Sequence, residues 1–263
     1  MRKYLLLFLA VVLVTSCAPE TINTEVRTGN EAFFLEQNNT DTAILLVHGF
    51  TASPWETKEL GEFLHKNNFT IYGTRLYAHG TSKEHLKSST WKQWYTSLED
   101  DYRKLSDYQN IYLAGVSLGG DLALILAANH KDIKKVITLA APIELQSKQS
   151  KFAGIAKYFM AYADTNLSEE EKLYYYDKRP IAAVHQLNKA MKAAKSSLNK
   201  VGQPVLILQA TDDPTVSPLS AEYIFDNLNT NKHLIYYNVS KHVLLQSTQK
   251  EKVFNDILSF IQN

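Results

Sequence analysis

The chain has 263 residues, 45% of them hydrophobic and 21% charged, a balance that fits one large globular domain and excludes a disordered or fibrous polymer. Its 28 Lys+Arg against 27 Asp+Glu give a formal net charge of +1, which offers no electrostatic footprint for nucleic acid or another polyanion. One cysteine in the whole chain excludes an internal disulfide framework.

The N-terminus reads differently from the rest. Arg2 and Lys3 precede an uncharged apolar run from Tyr4 to Val14, which meets Thr15, Ser16 and Cys17 in the manner of a secretory signal. A membrane-spanning helix needs about 20 apolar residues, so a permanent span is the weaker reading. Val14-Thr15-Ser16-Cys17 resembles the lipobox of bacterial lipoproteins, in which the cysteine becomes the lipidated first residue of the mature chain. That resemblance implies a signal peptide over residues 1–16 and a lipid anchor at Cys17. It implies a protein of the bacterial cell envelope, held on a membrane and facing away from the cytoplasm. Ala18, not an acidic residue, follows the cysteine, which is compatible with an outer membrane. The alternative is an ordinary secretory signal ending near a free cysteine, and acylation explains the lone thiol that this alternative leaves over. Loss of residues 1–16 removes two positive charges and takes the formal +1 to about −1. Residues 17–30 are polar and aperiodic, and read as a tether.

From residue 31 to 263, short apolar runs alternate with longer helical patterns, the signature of βα units on a mostly parallel sheet. Strands are predicted over residues 32–36, 42–47, 69–74, 110–115, 135–139, 204–209 and 233–239. Several are rich in Val, Ile and Leu without strict alternation, as strands buried on both faces are. Ser53-Pro54-Trp55-Glu56 has the form of a capping box and predicts a helix to about His65; Thr90-Trp91-Lys92-Gln93 does the same for a helix to about Tyr108. Helices are also predicted over residues 118–130 and 243–262. Between Pro142 and Val201 no strand pattern occurs, while Ser168-Glu169-Glu170-Glu171 and the Lys/Ala-rich residues 188–200 read as helical. Sixty structureless residues inside a compact domain would be unusual, so a small helical cap is expected at about 142–201.

The early strand 42–47 runs into His48-Gly49-Phe50-Thr51, where Gly49 lets the backbone turn. Gly115-Val116-Ser117-Leu118-Gly119 then matches G-x-S-x-G between an apolar strand and an apolar helix, the setting of a nucleophile elbow. A serine hydroxyl needs a base within reach and an acid to orient that base. In this arrangement they follow in the order Ser, Asp or Glu, His. His242 directly follows the last strand, at the carboxyl ends of the strands where parallel α/β sheets place their sites, whereas His233 begins that strand and sits at the wrong end. The acid must come from the loop after strand 204–209, where Asp212 and Asp213 compete and the residues alone do not separate them. Two backbone donors suit a tetrahedral oxyanion: the N–H of Leu118, at a helix start, and the N–H of Phe50. His48 is expected to orient that loop, and His79 either shapes it or serves a turn.

Together, Leu46-Val47-His48-Gly49-Phe50, Ala78-His79-Gly80, Gly115-Val116-Ser117-Leu118-Gly119-Gly120, Gln209-Ala210-Thr211-Asp212-Asp213 and Lys241-His242 resemble the small bacterial carboxylesterases related to monoacylglycerol lipases. The resemblance spans about residues 31–263 and includes the position of the cap. It implies the α/β-hydrolase fold and a serine hydrolase cleaving short or medium acyl esters or monoacylglycerol-like substrates, without a cofactor. The family's D-x-x-[VI]-x-P pattern fits Asp213-Pro214-Thr215-Val216-Ser217-Pro218, so the resemblance favours Asp213 as the acid. It differs at Ala78, where the family often has glycine.

Phe50, Trp55, Phe152, Tyr158, Phe159 and Tyr174 to Tyr176 suggest an apolar acyl pocket, with Trp55, His79, Phe152 and Tyr158 as candidate substrate contacts; packing of the cap on the sheet accounts for each aromatic equally well. There is no H-E-x-x-H, no clustered Cys/His set and no G-x-G-x-x-G, so neither metal nor nucleotide is expected. The competing functions are acyl transfer, amide or peptide hydrolysis on the same residues, and a catalytically idle, lipid-anchored binding protein.

Overall fold

The computed structural model describes residues 22–263. The expected signal peptide and the anchor residue Cys17 lie outside the described residues. In chain order, β1 (Phe33–Leu35), β2 (Thr42–Val47), α1 (Trp55–Lys66) and β3 (Thr70–Thr74) come first. They are followed by α2 (Lys83–Ser88), α3 (Trp91–Arg103), β4 (Asn110–Val116), α4 (Leu118–Asn129) and β5 (Lys135–Leu139). The cap then holds α5 (Ala153–Ala156), β6 (Tyr162–Asp164), β7 (Lys178–Pro180) and α6 (Ile181–Ser197). The chain returns through β8 (Val205–Ala210), α7 (Leu219–Asn227), β9 (Lys232–Tyr237) and α8 (Lys250–Gln262).

Seven strands form one sheet in the order β1-β3-β2-β4-β5-β8-β9, and every pairing is parallel except that of β1 with β3. This is the α/β-hydrolase fold, a mostly parallel sheet flanked by helices. Successive residues of a strand point to opposite faces. Along β2, Ala43, Leu45 and Val47 enter the core shared with α3, α4 and α7, while Ile44 and Leu46 enter the core shared with α1 and α8. Both faces are apolar, which is why the strands read as unbroken Val/Ile/Leu runs. Helix α8 commits Val253, Phe254, Ile257 and Ile261 to its core. Each contributes roughly 1.5–3 kcal/mol by burial.

The structure corrects several sequence expectations. The Thr90/Gln93 capping box forms as expected at α3. At α1 it does not: Ser53 is buried with its hydroxyl unpartnered, and Glu56 turns to other partners. The final helix begins at Lys250, because residues 238–249 form a loop in which one 3-10 turn, Leu244–Gln246, buries Leu244 and Leu245. The cap is not purely helical, since β6 and β7 pair antiparallel within it. Three-residue strands are too short to show a period in sequence. Ser168 and Glu171 do make reciprocal capping contacts, yet they lead only into a 3-10 turn, Glu171–Leu173. Helices α2 and α7, unforeseen in the sequence, complete the flanks.

Residues 22–30, expected as tether, contain no helix or strand but lie against the domain. Arg27 Nη1 donates to the carbonyls of Lys172 and Tyr175, and Asn30 is fully buried. No helix of the described residues is long and apolar enough to cross a membrane.

Candidate active site

Ser117 sits on the turn from β4 to α4 with φ 51° and ψ −119°, a conformation that costs a non-glycine residue on the order of 1–3 kcal/mol. Its N–H donates to Leu139 O at 2.7 Å and its carbonyl accepts from Gly120 N at 2.9 Å, which hold the turn in place. The motif glycines are steric necessities. A Cβ on Gly115 would stand 2.2 Å from Gly119 O, and one on Gly119 would stand 2.3 Å from Val47 O. The elbow can form only where those side chains are absent. Ser117 Oγ makes no hydrogen bond within the described residues and lines the cleft between sheet and cap.

Of the adjacent aspartates, the structure brings Asp213 to His242. Asp213 is 1% exposed after β8, and its Oδ2 lies 2.8 Å from His242 Nδ1. The same oxygen accepts from Gln209 Nε2 at 3.2 Å, while Oδ1 accepts the N–H groups of Thr215 and Val216 at 2.8 and 2.9 Å. Burial by itself would raise the carboxyl pKa. The hydrogen bond and charge of His242, together with the two N–H donors, outweigh it and hold Asp213 below the usual carboxylate range. Asp212 is exposed; its N–H donates to Val239 O at 3.3 Å, and its carboxylate accepts from the Thr211 hydroxyl at 3.3 Å. His233 is the second residue of β9, at the far end, beside Phe260.

The loop after β2 is held at both ends of Gly49. Gly49 N–H donates to Glu56 Oε2 at 2.6 Å, and Gly49 O lies 2.9 Å from His48 Nδ1. His48 Nε2 accepts from Leu76 N at 3.2 Å, so the network assigns the proton to Nδ1. Burial pushes His48 down to about 4, which keeps this buried ring neutral and makes it a tether for the loop. The N–H groups of Phe50 and Leu118 make no hydrogen bond within the described residues.

Sequence reasoning missed Glu56. It is 6% exposed, accepts from Gly49 N–H through Oε2 and from the Tyr175 hydroxyl through Oε1 at 2.9 Å, and the Tyr175 oxygen accepts in turn from Gln246 Nε2 at 3.0 Å. Burial raises its pKa, opposed by those two donors and by the charge of His242. Its spacing from Ser53 suggested a cap and concealed the role that the fold gives it.

The cleft has a volume of about 740 Å³ and is walled by Phe50, Leu145, Met160, Ile181, Val184 and Leu187, with Ser117 and His242 opening into it. Sites for small organic ligands span roughly 300–1,000 Å³. The four expected substrate contacts are corrected, for none of them lines this cleft. Trp55 stacks flat on Tyr174 with ring centroids 4.0 Å apart. His79 is fully buried behind the loop, against His48, Phe50 and Trp94. Phe152 and Tyr158, 66% and 77% exposed, face outward from the cap. Short amphipathic pieces leave open which side of an aromatic meets the sheet, and only the tertiary packing decides it. Among the described residues no group of three or more His, Cys, Asp or Glu is placed to hold a metal ion.

Residues 38–249 match the family Hydrolase_4, described as serine aminopeptidase, S33. The chain is 30% identical over 240 residues to the thermostable monoacylglycerol lipase of Bacillus sp. (strain H-257), covering 89% of this chain and 95% of that protein. It is 26% identical to a carboxylesterase of Bacillus subtilis (strain 168), over 84% and 93% of the two chains. Among solved structures, one from work on LipS and LipT, two metagenome-derived lipolytic enzymes, superposes with a TM-score of 0.85 at 25% identity, covering 90% of this chain and 99% of that one. The monoacylglycerol lipase of Paleococcus ferrophilus superposes at 0.73 and 16% identity, over 88% and 98%, a likeness of fold.

Proposed function

We propose that this chain, which belongs to the Hydrolase_4 (serine aminopeptidase, S33) family of α/β-hydrolases, cleaves carboxylic esters with Ser117 as nucleophile. The observation that carries this reading is the 2.8 Å contact of His242 with a buried, ionised Asp213, in the cleft where Ser117 is held in a strained turn. Asp213 accepts a hydrogen bond from Nδ1–H and leaves Nε2 as the basic nitrogen. Nε2 takes the Ser117 proton as Oγ attacks the ester carbonyl, and the N–H groups of Phe50 and Leu118 receive the oxyanion. The imidazolium returns its proton to the leaving alcohol. Water, deprotonated by the same nitrogen, then releases the acid. Asp213, already satisfied by Gln209, Thr215 and Val216, stabilises the imidazolium and keeps its own charge.

The apolar wall and the names of the relatives support short or medium acyl esters and monoacylglycerol-like substrates. Labelling by a fluorophosphonate and hydrolysis of 4-nitrophenyl acetate, butyrate, octanoate and palmitate test both parts. Labelling that survives Ser117→Ala removes the nucleophile, and a maximum at palmitate removes the chain-length preference. The family description favours one second reading, aminopeptidase activity, which aminoacyl 4-nitroanilides would reveal as turnover exceeding that of the esters.

The reading extends to location. Residues 1–16 act as a lipoprotein signal peptide, and Cys17 carries a lipid that holds the enzyme on a membrane of the bacterial cell envelope, facing away from the cytoplasm. Unchanged membrane fractionation of a Cys17→Ser protein would dismiss the anchor.

A further inference from the structure

The charges facing the cleft are unevenly matched. Three carboxylates line it. Glu56 accepts from Gly49 and Tyr175, Glu171 accepts from the Ser168 N–H and hydroxyl, and Asp164 stands 4.0 Å from Lys178. Two cations line it, Arg179 and Lys241. Neither makes an ion pair or hydrogen bond within the described residues, although the charge of Lys241 reaches Glu171.

Arg179 is the more unusual of the two. It lies at the centre of β7, opposite Ala163, so the β6–β7 hairpin fixes its backbone at the cleft wall. The residue is exposed and lines the cleft. The surrounding protein still crowds the guanidinium enough for burial to lower its pKa, with no carboxylate acting to raise it. A partly desolvated cation without a partner is held at a cost, and an anion that enters the cleft relieves it. A guanidinium offers a planar fork of N–H donors that fits a carboxylate in a bidentate pair.

We propose that Arg179 forms an anion-recognition subsite in the cleft and selects ester substrates that carry a free carboxylate. The proposal rests on the ester-hydrolase reading and adds the substrate class. It assigns Arg179 to specificity, outside the bond-breaking residues, and gives the cleft a cationic anchor on the β6–β7 pair.

Pairs of esters that differ in one carboxylate test it. Methyl hexanoate and monomethyl adipate place the charge on the acyl side, and ethyl butyrate and carboxymethyl butyrate place it on the alcohol side. The readout is the ratio of kcat/KM for the charged over the neutral member, measured by pH-stat in the unmodified protein, Arg179→Gln and Arg179→Lys. A ratio within one protein is independent of how much of it is correctly folded. The expected result is a fall of tenfold or more in Arg179→Gln for at least one pair, with Arg179→Lys, which keeps the charge and loses the fork, retaining only part of the selectivity. Ratios within twofold of the unmodified protein in both pairs would overturn the subsite. If neither member of a pair is hydrolysed and Ser117 is not labelled by a fluorophosphonate, the ester-hydrolase reading has failed instead. Calorimetric titration of Ser117→Ala protein then decides the subsite separately. Tighter binding of monomethyl adipate than of methyl hexanoate, lost in Ser117→Ala/Arg179→Gln, upholds it, and equal binding rejects it.

Discussion

Two neighbouring carboxylates of the same type occupy opposite environments. Asp213 is buried and accepts from His242, Gln209, Thr215 and Val216, while Asp212 faces water beside Thr211. Loss of a triad aspartate can cost about 10⁴ in turnover through the wrong histidine tautomer. Loss of an exposed turn contact costs on the order of 1 kcal/mol in stability. Asp213→Asn is therefore expected to abolish nearly all hydrolysis with the fold retained, and Asp212→Asn to keep most of it. Measuring kcat for both, with circular dichroism, checks this, and a reversed order would transfer the role to Asp212. On the proposed mechanism Glu56 acts at one remove, through the Gly49 N–H beside the proposed Phe50 donor. Deleting an oxyanion donor outright costs roughly 10²–10³ in kcat, so Glu56→Ala, which only loosens the donor's loop, is expected to lower kcat by about tenfold. KM should change far less, and Glu56→Gln, able to accept one of the two hydrogen bonds, should recover part of the loss. An equal rise in KM would point to a binding role.

At the scale of elements, α4 is the helix most committed to the interior, with all residues from Leu118 to Ala128 buried between sheet and cap. Asp121 lies in its first turn, fully buried with both oxygens unpartnered, and burial raises its carboxyl well above the ordinary value of 3.8. The native state therefore keeps a proton that the unfolded chain releases above about pH 4. By linkage, stability falls as pH rises through that window, by no more than about 1.4 kcal/mol per pH unit for one group. Asp121→Asn removes this slope. The melting temperature of the variant minus that of the unmodified protein is expected to grow from pH 4 to pH 7, and a constant difference would show that the carboxyl is stabilised as an ion.

Across the whole molecule, a continuous set of contacts joins the N-terminal segment to the candidate site. Arg27 donates to Lys172 O and Tyr175 O, its guanidinium lies 5.0 Å over the Tyr176 ring, and Asn30 Nδ2 donates to Leu173 O. Tyr175 in turn donates to Glu56, which holds Gly49. Hydrogen bonds to charged groups contribute roughly 1.5–3 kcal/mol. Arg27→Ala is expected to destabilise by about that amount and to speed amide exchange over residues 172–176 before other parts of the cap. Exchange that is faster everywhere or nowhere would argue that residues 22–30 merely rest on the surface.

What the amino-acid sequence determined by itself is local. The seven sheet strands, the turn at Ser117, the capping box at α3 and the placing of His242 after the last strand and of His233 near its start follow from periodicity, glycine sterics and strand direction, all legible within a few residues. Asp213 was even with Asp212 on its residues and was favoured only through the family pattern. The rest depended on packing between distant segments. Glu56 meets Gly49 and Tyr175, Arg179 reaches the cleft on a three-residue strand, and Trp55, His79, Phe152 and Tyr158 turn away from it. A cap built of short pieces has no period long enough to say which face is inward, and a buried carboxylate finds its donors only once the folded chain has brought them together.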